Sequence, residues 1–341
     1  MICPHCNTSL KRKERGGLRC GKCRRPFAFD PKDNPLKLHD VLVRKLVDKL
    51  SDGGKLRFST TQFYYAAVRK TVREASGAGI SVVAVVVLLG VLACGGLGVV
   101  QGIQEGQLEG VAIYMIPVLA VVVGVPLWIY HRRWRPIEPK VRRANFQADV
   151  LRRWLGVYHS DPPGLVEDAG YLRPVVPPEP TLAVLSPDKG VLVCLAANGV
   201  PQRLGVALVS RPADLPAGVP VLLMHDASAI GCLLAAQLRV AQPGRRVIDA
   251  GLRPRHVMSA KGALMLRAAP VKEPQLAVLR ATGEFTEKEL AWLARGWWSP
   301  VGALRPAVLI AKVEATVSRA LAGDSARREA EKVGFMTWPA G

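Results

Sequence analysis

Four cysteines near the start of the chain are the residues whose types and spacing most clearly indicate chemistry. They form two C-x-x-C pairs, Cys3 with Cys6 and Cys20 with Cys23, and thirteen residues separate the two pairs. Each pair brings two thiolates to one side of a tight turn, and two such turns close a tetrahedron around a zinc ion. Because four thiolates leave no open coordination position, we expect this Zn²⁺ to be structural. Two disulfides are the alternative, which a cytoplasmic location disfavours.

The segments around these cysteines, CPHC and CGKC, resemble the two knuckles of the zinc ribbon family. The resemblance covers residues 1–30 and implies a small metal-stabilised domain that binds nucleic acid or protein. Metal binding would supply the folding free energy that so short a segment lacks. Four cations between the knuckles favour an acidic partner: Lys11, Arg12, Lys13 and Arg15.

The 341-residue chain carries a net charge of +20 at pH 7, and this charge is unevenly distributed. Residues 1–76 contain 18 basic and 7 acidic side chains, and residues 131–157 contain 8 and 2. Attraction to anionic lipid headgroups explains such basic segments beside a membrane. Binding to nucleic acid is the alternative explanation.

Two apolar runs, residues 77–100 and 111–130, contain no charged side chain. Each is as long as the roughly 20 residues that span a bilayer as a helix. Basic residues flank the pair on both outer sides, whereas Glu105 and Glu109 are the charged residues of the connecting loop. Because positive charge stays on the cytoplasmic side, we expect a two-helix transmembrane hairpin, residues 77–130, in the cell membrane with both termini cytoplasmic. Small residues in both runs would also allow homo-oligomers, and a pair of buried helices is the alternative to the hairpin.

The segments on either side of the apolar runs have helical patterns. Residues 36–75 predict two basic helices that are separated by a break at SDGG, with Ser59 or Thr60 capping the second. This arrangement fits either a winged-helix-like unit or a plain juxtamembrane helical hairpin. Residues 131–180 predict a juxtamembrane helix followed by a Pro-rich linker.

Residues 181–341 predict a cytoplasmic α/β domain with C-terminal helices. Strand and helix patterns alternate over residues 181–260, as in a three-layer, Rossmann-like parallel sheet. Polar residues that follow such strands face the crevice at the carboxyl edge of the sheet. In this chain they are Ser186, Asp188, His225, Asp226 and Ser228.

This succession is similar to the Toprim domain of the topoisomerase VI A subunit and its relatives that make meiotic double-strand breaks. In LLMHDASAIG, Asp226 matches the first residue of the family's Asp-x-Asp pair. Upstream, STTQFYYAAVR resembles the winged-helix stretch that carries the family's nucleophile, so Tyr64 or Tyr65 would hold that position. The resemblance implies metal-dependent DNA cleavage by a tyrosine.

The chain departs from that family at the positions that would bind metal. Ser186 stands where the family has a Glu, Ser228 where it has the second Asp, and Thr61 where an Arg precedes the tyrosines. Mg²⁺ needs several hard oxygen ligands, and one Asp beside a His is a poor site. Asp226 is alternatively the N-cap of the following helix, and the tyrosines alternatively serve helix packing or membrane anchoring. We therefore expect a vestigial site without catalytic residues, comprising Asp226, Asp188, His225, Tyr64 and Tyr65.

These features predict a multi-domain membrane protein that acts as a scaffold or recruitment protein at the inner face of the membrane, with a non-catalytic Toprim-like domain. Its expected partners are membrane lipid and an unidentified cytoplasmic protein, with nucleic acid as a further candidate. The alternative is a membrane-tethered, metal-dependent DNA-processing enzyme of the topoisomerase VI A type. The missing carboxylates favour the scaffold.

Overall fold

A computed structural model describes residues 1–76, 136–170 and 173–332. The helices of these residues are α1 (Asp40–Ser51), α2 (Thr60–Ser76), α3 (Arg143–Phe146), α4 (Arg152–Tyr158), α5 (Lys189–Ala197), α6 (Val200–Leu204), α7 (Ala229–Ala241), α8 (Pro254–Ser259), α9 (Glu273–Ala281), α10 (Glu287–Ala294) and α11 (Pro306–Lys332). The strands are β1 (Phe58–Ser59), β2 (Leu165–Val166), β3 (Leu182–Leu185), β4 (Val206–Val209), β5 (Val221–Leu223), β6 (Val247–Asp249), β7 (Leu266–Arg267) and β8 (Trp297–Trp298). A π-helical turn, Gln147–Leu151, joins α3 to α4, and a 3₁₀ turn, Val301–Ala303, precedes α11.

A four-stranded parallel sheet with the order β4-β3-β5-β6 lies at the centre of the second half of the chain. Strands β3, β4 and β5 are short apolar segments that are entirely buried, as expected where helices cover both faces of a sheet. Their side chains alternate between two cores, so that Val184 and Leu222 pack with α5 and α11, whereas Leu185 and Leu223 pack with α7. The parallel pairing agrees with the sheet predicted for residues 181–260.

The first half of the chain has an aromatic core of its own. Its buried aromatic side chains include Phe29, Phe58, Phe63, Phe146 and Trp154. The rings of Phe63 on α2 and Phe146 on α3 meet edge to face with their centroids 5.5 Å apart, an arrangement that aromatic pairs favour. Helices α1 and α2 and the break between them agree with the two helices predicted for residues 36–75.

The segment predicted to be a Pro-rich linker contributes a strand instead. Strand β2 pairs in parallel with β1, so that Phe58 lies opposite Leu165, and the N–H of Phe58 donates to the carbonyl oxygen of Gly164 at 2.9 Å. The prediction of a linker was therefore wrong here. Both strands have only two residues, which is too short for a periodic pattern to reveal them.

Asp40 connects the end of the amino-terminal cysteine-rich unit to the helices. Its carboxylate is fully buried and accepts hydrogen bonds from the backbone N–H groups of Ala28 at 2.8 Å and Phe29 at 3.0 Å. The hydroxyl of Tyr158 on α4 donates to the same carboxylate. One side chain at the start of α1 therefore joins three segments, because a buried carboxylate must have its hydrogen-bonding capacity satisfied.

The fold class predicted from sequence has to be corrected. No helix within residues 1–76, 136–170 and 173–332 is both long enough and apolar enough to cross a membrane. Helix α11 has 27 residues, but charged side chains recur along it. The predicted hairpin, residues 77–130, lies outside the described residues. The architecture that the structure supports is an α/β protein with an amino-terminal tetracysteine unit, and the predicted membrane fold and cell-membrane location are not retained.

Candidate metal centre and binding clefts

The four predicted cysteines come together in one cluster. The sulfur atoms of Cys3, Cys6, Cys20 and Cys23 all lie within 4.8 Å of one another. Two of the separations, Cys3 to Cys23 and Cys6 to Cys20, are 3.8 Å each. Sulfurs bound tetrahedrally at about 2.3 Å from a common zinc ion lie roughly 3.8 Å apart. The donor set and its spacing therefore fit a metal ion and are consistent with an amino-terminal zinc ribbon.

Two similar turns position these thiols. Isolated antiparallel bridges, Ile2 with Ser9 and Arg19 with Pro26, close a loop around each C-x-x-C pair. The residues directly after the second cysteine of each pair, Asn7 and Arg24, both adopt left-handed backbone conformations, with φ of 56° and 58°. The second turn also needs a glycine at position 21, because a Cβ atom there would lie 2.8 Å from the carbonyl oxygen of Glu14.

Backbone N–H groups in the turns point at two of the cysteine sulfurs. The N–H of His5 points at the sulfur of Cys3, and the N–H of Cys23 points at the sulfur of Cys20, both at 3.4 Å. The contact from Cys23 lowers the pKa of Cys20. Since metals bind the thiolate, this contact favours the metal-binding form of Cys20, whereas burial raises the pKa of Cys3 to about 11.

A second candidate site is a cleft beside the carboxyl edge of the sheet, called here the tyrosine cleft. It has a volume of about 510 Å³. Its polar lining residues come from five separate segments and are Tyr65, Arg143, Asp168, Asp188, Lys189 and Asp226. The structure therefore brings together three of the five residues of the predicted vestigial site, Tyr65, Asp188 and Asp226. Sequence reasoning missed Arg143 and Asp168, because both lie in the segment predicted to be a juxtamembrane helix and linker.

The other two residues of the predicted site do not line the cleft. The hydroxyl of Tyr64 donates to the backbone carbonyl of Val141 at 3.0 Å. His225 is buried, with Nδ1 at 2.7 Å from the carbonyl oxygen of Asp226 and Nε2 at 2.9 Å from the carboxylate of Asp249. Both ring nitrogens of His225 are thus engaged, and neither is available to a ligand in the cleft.

Each carboxylate of the tyrosine cleft already accepts a structural hydrogen bond. Asp188 caps α5 by accepting from the N–H of Gly190 at 2.9 Å. Asp226 accepts from the N–H of Val301 at 2.6 Å, and Asp168 forms an ion pair with Arg143 at 2.8 Å. These carboxylates therefore hold helix ends and a guanidinium group in place.

The expectation that Asp226 caps the following helix was wrong. Ser228 is the N-cap of α7, because its hydroxyl accepts the N–H of Gly231 at 3.0 Å. Asp226 instead fixes the start of the 3₁₀ turn Val301–Ala303. The next residue, Gly302, packs so closely that a Cβ atom there would lie 2.5 Å from the Asp188 carboxylate. The turn that carries Val301 and Gly302 thus packs against two of the carboxylates that line the cleft.

Burial makes the charged forms of the cleft residues costly. It raises the pKa of Asp226 to about 6, although the hydrogen bond from Val301 opposes the shift. Burial also raises the pKa of Asp188. The pKa of Tyr65 is raised by burial and further by the negative charges of Asp188 and Asp226. A phenol in this setting stays protonated at neutral pH, whereas a nucleophile would need the opposite shift.

The tyrosine cleft also lacks a preformed metal cage. Among the residues that the structure describes, one group of three or more potential ligands lies close enough together to hold a metal ion. It consists of the four cysteines. Asp168, Asp188 and Asp226 do not form such a group. Their separation follows from the hydrogen bonds above, since each carboxylate is held at a different segment.

A third candidate site is a groove between the tetracysteine unit and the first two helices, called here the basic groove. It has a volume of about 740 Å³. The cations that line it are Arg15, Lys32, Lys37, Lys70 and Lys140. None of the described residues that line it is acidic. Asp30, the partner of Arg15 at 3.0 Å, does not line it.

The electrostatic field of the basic groove is apparent at His39, which also lines it. Burial lowers the pKa of His39, and the positive charges of Lys45 and Lys70 lower it further against the opposing effect of Asp40. The sequence shows each of these cations. It does not show that Lys70 and Lys140 lie at one groove, because the apolar runs separate them in the chain.

Comparison with protein families, with curated proteins and with solved structures gives no significant match for this chain. The resemblance to the topoisomerase VI A subunit therefore has no support from a matching family. The tetracysteine cluster, the tyrosine cleft and the basic groove are the features that bear on function.

Proposed function

We propose that the protein is a non-catalytic recruitment protein that binds nucleic acid through its tetracysteine unit and the basic groove. The observation that carries this proposal is the lining of the groove, in which cations from four segments meet and none of the described lining residues is acidic. Lysine and arginine side chains arranged in this way neutralise phosphates and release their counterions, which is the main source of sequence-independent affinity for nucleic acid.

The surface of the tetracysteine unit extends this positive region. Its exposed cations are Lys11, Arg12, Lys13, Arg19, Lys22, Arg24 and Arg25. Over residues 1–30 the acidic side chains are Glu14 and Asp30, and Asp30 is buried in its ion pair with Arg15. A polyanion of regular charge, such as a phosphate backbone, matches a surface of this kind better than a mixed protein surface does.

The metal that we assign to the cluster is zinc, in a structural role. Four thiolates favour Zn²⁺ over the hard cations that prefer oxygen ligands. A closed site of this type would fix the two cysteine turns and hold the exposed cations in position, and it would leave no position for a reacting water molecule.

The α/β domain acts in this proposal as the docking domain for a protein partner. The engaged carboxylates of the tyrosine cleft and the raised pKa of Asp226 and of Tyr65 support a role without catalysis. Mg²⁺ would have to compete with the backbone N–H groups that already hold Asp188 and Asp226.

The test is direct titration of labelled single-stranded DNA, duplex DNA and RNA with the full-length protein. We expect binding that weakens steadily as the salt concentration rises, with no cleavage in Mg²⁺ or Mn²⁺. An absence of binding at low salt would contradict the proposal. If the protein instead binds an acidic protein that prevents nucleic acid from binding, the acidic protein is the partner in place of nucleic acid.

A second candidate function, a metal-dependent DNA-processing enzyme, is favoured by one observation. Tyr65, Asp188 and Asp226 share a cleft, and these are residue types that the resemblance to topoisomerase VI A requires. The distinguishing experiment is a search for a covalent protein–DNA adduct in the presence of divalent metal. An adduct that Tyr65→Phe abolishes and Tyr64→Phe retains would establish the enzyme in place of the recruitment protein.

A further inference from the structure

A fourth site lies at the open edge of the central sheet, outside the features used so far. It is a cavity of about 480 Å³ between the segment that follows β6 and the middle of α11, called here the β6 pocket. Lys312, Thr316 and Arg319 line it from one face of α11, because residues three and four apart lie on the same side of a helix. A volume of this size suits a small molecule.

The β6 pocket contains more cations than anions. Its charged lining residues are Arg246, Arg253, Lys312, Arg319 and one carboxylate, Asp249. The Asp249 carboxylate is already occupied by His225 at 2.9 Å, by Arg253 at 2.9 Å and by the N–H of Gly251 at 3.0 Å. The negative charge of Asp249 is therefore shared among His225, Arg253 and a backbone N–H group, and Arg253 pairs also with Glu284 at 2.6 Å.

Lys312 lies in an environment that a bound anion would improve. Its ammonium group is partly buried and donates to the backbone carbonyl of Gly251 at 3.1 Å. Burial lowers the pKa of Lys312, and the guanidinium groups of Arg253 and Arg319 lower it further against the opposing effect of Asp249. His256 at the same pocket has a pKa lowered by burial and by Lys312, Arg255 and Arg253. Two groups on different helices thus have a pKa that burial and neighbouring cations lower.

We propose that the β6 pocket binds a small phosphorylated ligand, with a phosphate group held between Lys312 and Arg319 on α11 and opposite Arg253, which is itself paired with Asp249 and Glu284. Guanidinium and ammonium groups are the usual partners of phosphate, and charge-assisted hydrogen bonds to it are among the strongest in proteins. The pocket is bounded by one sheet edge and one helix, whereas the basic groove lies in the first half of the chain. The two sites are therefore expected to bind independently.

The experiment is calorimetric titration of the full-length protein with inorganic pyrophosphate at constant ionic strength. We expect saturable binding to one site, and we expect Lys312→Met and Arg319→Met each to weaken it about tenfold, as the loss of one charge-assisted hydrogen bond predicts. Arg211→Met is the matched control, because Arg211 is exposed and pairs with Asp214 outside the pocket. Thermal midpoints of all three variants check that they are folded.

Two further experiments identify the source of the phosphate and distinguish this proposal from nucleic-acid binding. If the phosphate group determines affinity, ADP should compete with pyrophosphate and adenosine should not. The double variant Lys70→Gln/Lys140→Gln in the basic groove should leave pyrophosphate binding unchanged. The proposal is overturned if the unsubstituted protein shows no saturable binding, if Arg211→Met weakens binding as much as Lys312→Met, or if an oligonucleotide displaces pyrophosphate.

Discussion

The carboxylate of Asp226 accepts a hydrogen bond of 2.6 Å from the backbone N–H of Val301, 75 residues later in the chain. This contact fixes a turn that packs against the carboxylates of the tyrosine cleft. It also gives Asp226 a structural role at the position where the resemblance to topoisomerase VI A would place a metal ligand. The contact thus supports our proposal of a protein that acts without catalysis.

The first prediction concerns the pH dependence of stability at Asp226. Because burial raises its pKa from 3.8 to about 6 in the folded protein, ionisation costs stability as the pH rises through 6. Asp226→Asn keeps an oxygen that accepts from Val301 but cannot ionise. As the pH rises from 5 to 7.5, we expect the free energy of unfolding of the variant to increase by on the order of 1–3 kcal/mol relative to that of the unsubstituted protein.

Urea unfolding followed by tryptophan fluorescence at the two pH values measures this difference. Asp214→Asn is the control, because the hydrogen bond with Arg211 lowers the pKa of Asp214, so this group is ionised at both pH values and its substitution should change stability equally at each. A gain for Asp226→Asn that is the same at pH 5 and pH 7.5 would show that the buried charge does not affect stability.

The second prediction concerns Asp40, which joins the tetracysteine unit to α1 and α4. Asp40→Ala leaves the N–H groups of Ala28 and Phe29 and the hydroxyl of Tyr158 without their buried acceptor. We expect a loss of about 2–4 kcal/mol in the free energy of unfolding. Asp48→Ala on the exposed face of the same helix should change it by less than about 0.5 kcal/mol. Equal effects of the two substitutions in chemical denaturation would contradict this role for Asp40.

The third prediction concerns the metal. The purified protein should contain about one zinc ion per chain, and Cys20→Ser should lose it, because three thiolates no longer close the site. Cys232→Ser is the matched control, since Cys232 is buried in a different core and its loss should leave the metal content unchanged. Elemental analysis of the purified proteins measures both. Retention of the metal in Cys20→Ser would show that the cluster is not the site.

The parts of this fold that could be predicted from the sequence have strong local signals. Buried strands such as β3 and β5 are uninterrupted apolar runs, and the C-x-x-C spacing alone brings two thiols together. Thr286 and Glu289 form a capping box at the start of α10, and the spacing typical of such a box is visible in the sequence.

The parts that could not be predicted depend on contacts between distant segments. The two-residue strands β1 and β2 stabilise each other only as a pair, and the partner of Asp226 lies on a turn with no recognisable pattern. The same holds for the basic groove, where Lys70 and Lys140 meet only because α2 and the segment before α3 pack together. Local patterns do not contain information of this kind.

The central claim is that the basic groove binds nucleic acid, and its most direct test is the salt dependence of binding by charge variants. Lys70→Gln/Lys140→Gln removes two exposed cations of the groove, and Lys261→Gln/Lys288→Gln removes two exposed cations elsewhere. Fluorescence anisotropy of a labelled duplex should show binding about tenfold weaker for the groove variant, with a slope of log affinity against log salt reduced by about two. The control variant should retain the slope of the unsubstituted protein. Equal slopes for the two double variants would contradict the assignment of the groove as the nucleic-acid site.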